Sequence, residues 1–343
     1  MSTKIDRVKY LKTIGICNNG FNGRGFANPY SVSVASNGNI YVVNRCDTTR
    51  RPAIRIGIFN IEEEYIGEFG SGGGSKDGQF MLPVAIAFDK QDRLHVTDEY
   101  LHRVSVFDLS GKFLFKWGNK GSSDGEFNGP SGIAFDSNDN AFVADQFNHR
   151  IQKYDSSGNF VLQWGDKGND IGQFNMPWGI GVDKEDNIYI ADWRNDRVQK
   201  FDNEGKFIMM FGSQDNRINH IYMDRPSAVV VDDVGDVYIS DWGNERIQIF
   251  DQTGDLVQIL NGEATLSKWA KDFFDSNPDE WEHRINSNLT PELPDHLNKS
   301  RYQISSQTEP YFWGPVGLDI DAMGYLYVVE SNRHRVQIYT TRS

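Results

Sequence analysis

Residues 130–165 read PSGIAFDSNDNAFVADQFNHRIQKYDSSGNFVLQWG, and this stretch decides the fold. Four short apolar runs, GIAF, AFVA, RIQKY and FVLQW, are separated by DSNDN, DQFNH and DSSGN. The breaks are rich in Asp, Asn, Ser and Gly, the residues of tight turns, so the stretch reads as a four-stranded antiparallel meander. A sheet that small has two open edges and cannot bury both faces alone. The pattern recurs from Pro83, Pro177 and Pro226, and more loosely from Pro29 and Pro315; successive spacings from Pro83 are 47, 47 and 49 residues. Self-similarity at this period implies a repeat architecture, and radial packing of six copies protects the edges and buries the faces. The expected fold is an all-β, six-bladed β-propeller.

The sixth copy runs out of chain after three strands. Residues 7–15 (RVKYLKTIG) match the outer strand of the second copy, GKFLFKWG at 111–118, and are expected to complete the last blade and close the ring. One domain over 1–343 follows, with blades at about 28–70, 78–118, 125–165, 172–212, 222–262 and 310–340 plus 7–15. Residues 263–309 interrupt the link between blades five and six. Within them Leu266, Trp269, Ala270, Phe273 and Phe274 fall on one face of an amphipathic helix. The sequence NPDE from Asn277 is a helix start, and Thr290-Pro291 offers another. In a meander the turn from strand two to strand three lies at the same end as the link to the next blade. The insert is therefore expected as a lid over that rim, its apolar face on Tyr30, Trp242 and Trp313.

The net charge of −13, from 48 acidic and 35 basic residues, disfavours broad binding to nucleic acid or anionic membranes. Two cysteines, Cys17 and Cys46, form no disulfide framework and fit a reducing compartment. No apolar run approaches membrane-spanning length, and with a strand expected directly after Asp6 no signal peptide is expected. A cytoplasmic location is expected. The Gly-rich links before blades two, three and four lack the Gly-Lys-Ser/Thr ending of a phosphate loop and read as inter-blade turns.

Strand two ends in Asn44, Asp98, Asp145, Asp192, Asp241 and Glu330, and strand three begins with Arg55, Arg103, Arg150, Arg197, Arg246 and Arg335. Residues repeated in every blade serve the blade, so ion pairing within the scaffold is their simplest role. Positions that differ between blades are the candidates for function. On the rim these are Tyr30, Arg45, Tyr100, Phe147, Trp178, Trp193, Arg194, Trp242, Trp313, Arg333 and His334 as ligand-binding residues, with His102, His149 and Glu330 as candidate proton-transfer groups. Arg45, Arg50 and Arg51 enlarge the loop of blade one. Inter-loop packing is the alternative for the aromatics. No metal site and no cofactor is expected.

The stretch ADQFNHRIQKYD at 144–155 matches the NHL-repeat signature A-D-x-x-N-x-R-I-Q-x-F/Y-D, as do 191–202 and 240–251. The chain thus resembles the NHL-repeat family over nearly all its length outside 263–309. That resemblance implies a six-bladed propeller closed by its termini, in a family that includes binding modules, RNA-binding domains and at least one enzyme type. The blade plan is also similar to peptidyl-hydroxyglycine α-amidating lyase. The places of that enzyme's Pro-His zinc histidines hold Tyr30, Val84, Ser131, Trp178, Ser227 and Val316 here, although TDEYLH at 97–102 echoes one of its loops. Two classes follow for the rim and channel under the insert. One is a module binding a small molecule, peptide or protein. The other is a lyase, hydrolase or cyclase acting on an aromatic or apolar substrate, with Arg45, Arg194 or Arg333 holding an anionic group. RNA binding ranks third, and the oligomeric state is not legible.

Overall fold

A computed structural model describes residues 7–17, 23–46, 51–70, 72–212 and 221–341. Six four-stranded antiparallel sheets surround a central channel. From channel to periphery, blade one is Pro29–Val34, Ile40–Asn44, Arg55–Phe59 and Tyr65–Phe69. Blade two is Pro83–Phe88, Leu94–Asp98, Arg103–Phe107 and Phe113–Trp117. Blade three is Pro130–Phe135, Ala141–Asp145, Arg150–Tyr154 and Phe160–Trp164. Blade four is Pro177–Val182, Ile188–Asp192, Arg197–Phe201 and Phe207–Phe211. Blade five is Pro226–Val231, Val237–Asp241, Arg246–Phe250 and Leu256–Leu260. Blade six is Pro315–Ile320, Tyr325–Glu330 and Arg335–Thr340, completed by Lys9–Ile14.

Each inner strand opens on proline, which has no N–H to donate and is tolerated at the first position of an edge strand. The second and third strands are buried at nearly every position because both faces pack against neighbouring blades. Third from each opening proline stand Ser31, Ala85, Gly132, Gly179, Ala228 and Gly317. Their small size has a steric cause. A Cβ on Gly132 would lie 2.4 Å from the Trp178 carbonyl oxygen, and one on Gly317 2.6 Å from that of Tyr30.

The ring closes as the sequence implies. Lys9–Ile14 pairs antiparallel with Arg335–Thr340, Tyr10 opposite Tyr339 and Ile14 opposite Val336. Arg7 pairs with Asp236 of blade five at 2.5 Å, and the Gln258 side chain accepts from the backbone N–H of Arg7 and Val8.

The insert departs from expectation. It contains α1 (Lys268–Ser276), α2 (Pro278–Ile285) and α3 (Arg301–Gln307). Pro278 opens α2 as anticipated, whereas no helix starts at Thr290 and α3 is capped by Ser300. Trp269 has as its nearest rings not the rim aromatics but Phe26 and Phe59. It is 3 % exposed, at the seam between blades six and one, with its ring 5.8 Å from Phe26 and 5.7 Å from Phe59. Its Nε1–H donates to the Glu63 carbonyl at 2.5 Å.

Other seams explain why. Trp117, ending the outer strand of blade two, contacts Phe127 and Tyr154 at 5.8 and 4.7 Å. Phe26 and Phe59 stand where Phe127 and Tyr154 do, but the closing strand ends in Ile14. The insert therefore supplies the aromatic ring that the closing strand lacks. Its lead-in is tied to the same seam: Ser267 donates to the Gly15 carbonyl, and Tyr10 Oη accepts from the Thr265 N–H. At the rim, Tyr302 of α3 meets Trp313 at 5.7 Å, and Asp272 of α1 pairs with Arg24 of the link into blade one at 2.6 Å.

Candidate ligand-binding site at the channel mouth

Just before each repeated arginine of blades two to six stands a residue in the left-handed region: His102, His149, Asp196, Glu245 and His334, with φ of 52–56°. Each side chain accepts from the backbone N–H that precedes the next blade's opening proline. The pairs are Gly129 to His102 at 3.0 Å, Met176 to His149 at 3.2 Å and Asn28 to His334 at 2.9 Å. Arg225 donates to Asp196 at 2.8 Å and Gly314 to Glu245 at 2.6 Å. The three histidines are thus held at three different seams as inter-blade clamps, Nδ1 accepting and the proton on Nε2. Among the described residues no three His, Cys, Asp or Glu side chains converge into a group able to hold a metal.

Burial holds all three imidazoles below their ordinary pKa. An unfolded histidine then takes up its proton before a folded one does. The stability these clamps contribute is complete above about 6.5 and is lost as pH falls below that value. Replacing His102, His149 and His334 together by Asp, the residue blade four uses, should keep the acceptor and blunt the fall in Tm on mild acidification. An unchanged pH profile would remove the clamps as its cause.

Glu330, the other candidate proton-transfer group, accepts from Arg335 at 2.5 Å, Gln337 at 2.7 Å and the Trp313 N–H at 2.9 Å. Asp145–Arg150, Asp192–Arg197 and Asp241–Arg246 repeat this pair at 2.8, 2.9 and 2.7 Å. In blade one Asn44 replaces the acid, and Arg55 turns to Glu68 at 2.9 Å.

The mouth itself is built from the residue after each opening proline and the residue after each strand-two acid. Tyr30 and Trp178 come from opposite blades and meet across the channel, ring centroids 6.4 Å apart. Trp178 continues to Trp193 at 6.2 Å and Trp193 to Trp242 at 6.5 Å, giving one row of four rings. Guanidinium groups lie over three of them: Arg45 over Tyr30 at 4.7 Å, Arg194 over Trp193 at 5.4 Å and Arg225 over Trp242 at 4.7 Å. Arg45 is neutralised by Glu99 at 2.8 Å and Arg225 by Asp224 at 2.8 Å, whereas Arg194 is exposed and makes no ion pair with a described residue.

Gln146 occupies the corresponding place in blade three. It is fully buried, and neither its amide oxygen nor its nitrogen has a partner among the described residues. Trp313 and Arg333 form a second group beneath α3, while His334 stands apart at its seam with Asn28. Arg333 lies over Trp313 at 5.6 Å and donates to the carbonyls of Ser305 and Thr308 at 2.5 and 3.0 Å. Tyr100 and Phe147 stand singly on the loops of blades two and three, 60 % and 41 % exposed. Arg50 lies outside the described residues.

Comparison with known proteins agrees with this architecture. The NHL repeat family matches residues 174–201, 223–250 and 312–339, and a family described as a 6-bladed beta-propeller matches residues 83–163. This chain is a six-bladed propeller, three of whose blades match the NHL repeat. No curated protein matches it in sequence. Among solved structures, this propeller is similar to a streptogramin B lyase, at 12% identity with 97% of this chain and 98% of that one covered and a TM-score of 0.57. It is also similar to a protein of unknown function from Bacteroides thetaiotaomicron (14% identity, 97% and 75% covered, TM-score 0.62). A third likeness is to a chain of a nidogen/laminin complex (15% identity, 74% and 92% covered, TM-score 0.52). At such identities the likeness shows the fold alone.

The NHL signature now has a physical reading. Its Asp accepts from the Asn, Arg and Gln of the same unit, as in Asp145 with Asn148, Arg150 and Gln152 at 2.8, 2.8 and 3.2 Å. Those residues build the blade. Sequence reasoning passed over Gln146, Arg225 and Glu245 as site residues. Glu245 is 5 % exposed, and burial pushes its carboxyl up to about 7 against the opposing Gly314 N–H bond. The signal was available: all three occupy places where neighbouring blades carry a different residue type.

Proposed function

We propose that this NHL propeller is a cytoplasmic binding module that receives a small molecule or peptide on the ring row Tyr30–Trp178–Trp193–Trp242. The row is the observation that carries the reading. Four half-buried rings in one line offer apolar area to a planar or apolar group. Arg194 is placed for an anionic substituent, and the buried amide of Gln146 for a polar one. Nucleic acid is disfavoured, because Arg45 is neutralised by Glu99 and Arg333 is engaged inside the insert.

The probe is 2-naphthoate, an aromatic carboxylate, titrated calorimetrically. Trp193→Ala should weaken binding about thirtyfold or more, the effect of a hot-spot aromatic, and Arg194→Ala by about tenfold. Equal binding by the wild type and Trp193→Ala would overturn the reading.

A lyase, hydrolase or cyclase using the same mouth is the second reading, and Glu245 favours it. A carboxyl titrating near neutrality beside an aromatic wall is suited to proton transfer. Under that reading Glu245→Gln abolishes turnover while 2-naphthoate still binds; under the first, there is no turnover to lose.

A further inference from the structure

The channel that runs below the ring row has a volume of about 560 Å³. At the rim end Tyr30 and Trp178 span it. At the other end it is lined by Ser36, Gly38, Ala322 and Met323, which belong to the turns between first and second strands. Its wall is made of the six inner strands, and at the fifth position of each stand Ser33, Ala87, Ala134, Gly181, Val230 and Asp319. Five of these are small or apolar and the sixth is a carboxylic acid. Asp319 Oδ2 accepts from the Val34 N–H at 2.9 Å, and no described Lys, Arg or His pairs with it.

The surroundings of that end point the same way. The six first-to-second-strand turns, at 35–39, 89–93, 136–140, 183–187, 232–236 and 321–325, carry eleven carboxylates against three basic residues. The field at the open end therefore favours a cation. The wall of the bore mixes apolar side chains with backbone and hydroxyl groups, and its two carboxyls, Asp319 and Asp321, lie towards this end; it accommodates a charged head there only on a slender tail.

We propose that the bore binds a slender organic ammonium ion, its tail along the inner strands and its charged head on Asp319. The charged end of this site lies towards the opposite mouth of the channel from the ring row. The shared chemistry is a primary ammonium on an unbranched chain, whether a free amine or a lysine side chain of a partner.

Removal from bulk water pushes the Asp319 carboxyl up to about 7, and Asp321 adds to the effect. Tyr327 is opposite it in register, and the neighbouring inner strands bring Ser33 and Val230 to its level. An ammonium needs the carboxylate form, so affinity should rise as pH rises through about 7. With no ligand bound, the raised carboxyl means that stability falls as pH climbs from its ordinary range through about 7. Asp319→Asn should consequently fold and melt no lower than the wild type in alkaline buffer.

The test is calorimetric titration of the full chain with n-hexylammonium and, as neutral isostere, n-hexanol. The wild type should bind n-hexylammonium at about 1 mM or tighter, and Asp319→Asn about tenfold or more weakly. n-Hexanol should bind both proteins alike and weakly. Asp319→Asn should leave 2-naphthoate binding intact. The tripeptide acetyl-Gly-Lys-Gly-amide separates the sources: tighter binding than n-hexylammonium assigns the site to a partner's lysine, weaker binding to a free amine. The proposal is overturned by equal n-hexylammonium affinity in wild type and Asp319→Asn, by n-hexanol matching n-hexylammonium, or by no binding to the wild type.

Discussion

Trp269→Ala should lower Tm by roughly 5–10 °C although it touches no blade strand by sequence. Deleting a fully buried tryptophan costs about 3–5 kcal/mol, and in a chain of this size each kcal/mol corresponds to about 2 °C. The loss falls on one seam, because Phe26 and Phe59 are left facing a cavity and the Glu63 carbonyl loses its donor. Phe273→Ala is the control. Phe273 lies on the same helix but is 42 % exposed and meets only Phe274, so it should shift Tm by a degree or two at most. If both variants melt together with the wild type, the insert is an appendage and the clasp is wrong. An Ile14→Trp change in the Trp269→Ala background should recover part of the loss, since it returns the ring to the strand that carries it at other seams. Replacing 263–309 by a short loop should therefore destabilise the ring.

Removing residues 1–15 should have the larger effect and abolish a cooperative melt altogether. The deletion takes the outer strand of blade six, exposing the backbone edge of Arg335–Thr340. It also takes the Arg7–Asp236 pair, the Tyr10–Tyr339 contact at 5.6 Å and the buried Ile14 side chain. An open edge on a ring whose first and last blades are no longer joined invites pairing between molecules. Size-exclusion chromatography should show aggregates, and differential scanning calorimetry no sharp transition. A monomeric truncated protein with an unchanged melt would refute closure by the first strand. Supplying residues 1–15 as a free peptide should restore part of the transition, which separates a missing latch from general misfolding.

The two predictions differ in how visible their causes were. Closure could be read directly, because RVKYLKTIG repeats the outer strand of another copy and the last copy lacks one. The destination of Trp269 could not. Its helical spacing showed an apolar face, but a period says that a face is buried and not against what. The clue was indirect: Ile14 stands where Trp117 and Trp164 stand in their blades, leaving a seam short of one ring.

The sequence by itself determined the six copies, the ring, the strand that closes it and the division between residues that serve every blade and residues that differ. Periodicity, turn chemistry and edge protection are local or repeat-level constraints, and they leave a mark at fixed spacing. Tertiary structure alone decided that His102 and His149 clamp neighbouring blades, since a side chain that accepts a backbone N–H 27 positions away in sequence looks the same on paper as one poised for proton transfer. It alone brought Tyr30 against Trp178 across the channel, 148 positions apart in sequence, because opposite blades meet only once the ring has closed. It alone made Asp319 conspicuous. One acid among small and apolar residues is unremarkable along the chain, and its isolation exists only when six inner strands are wrapped around a common axis.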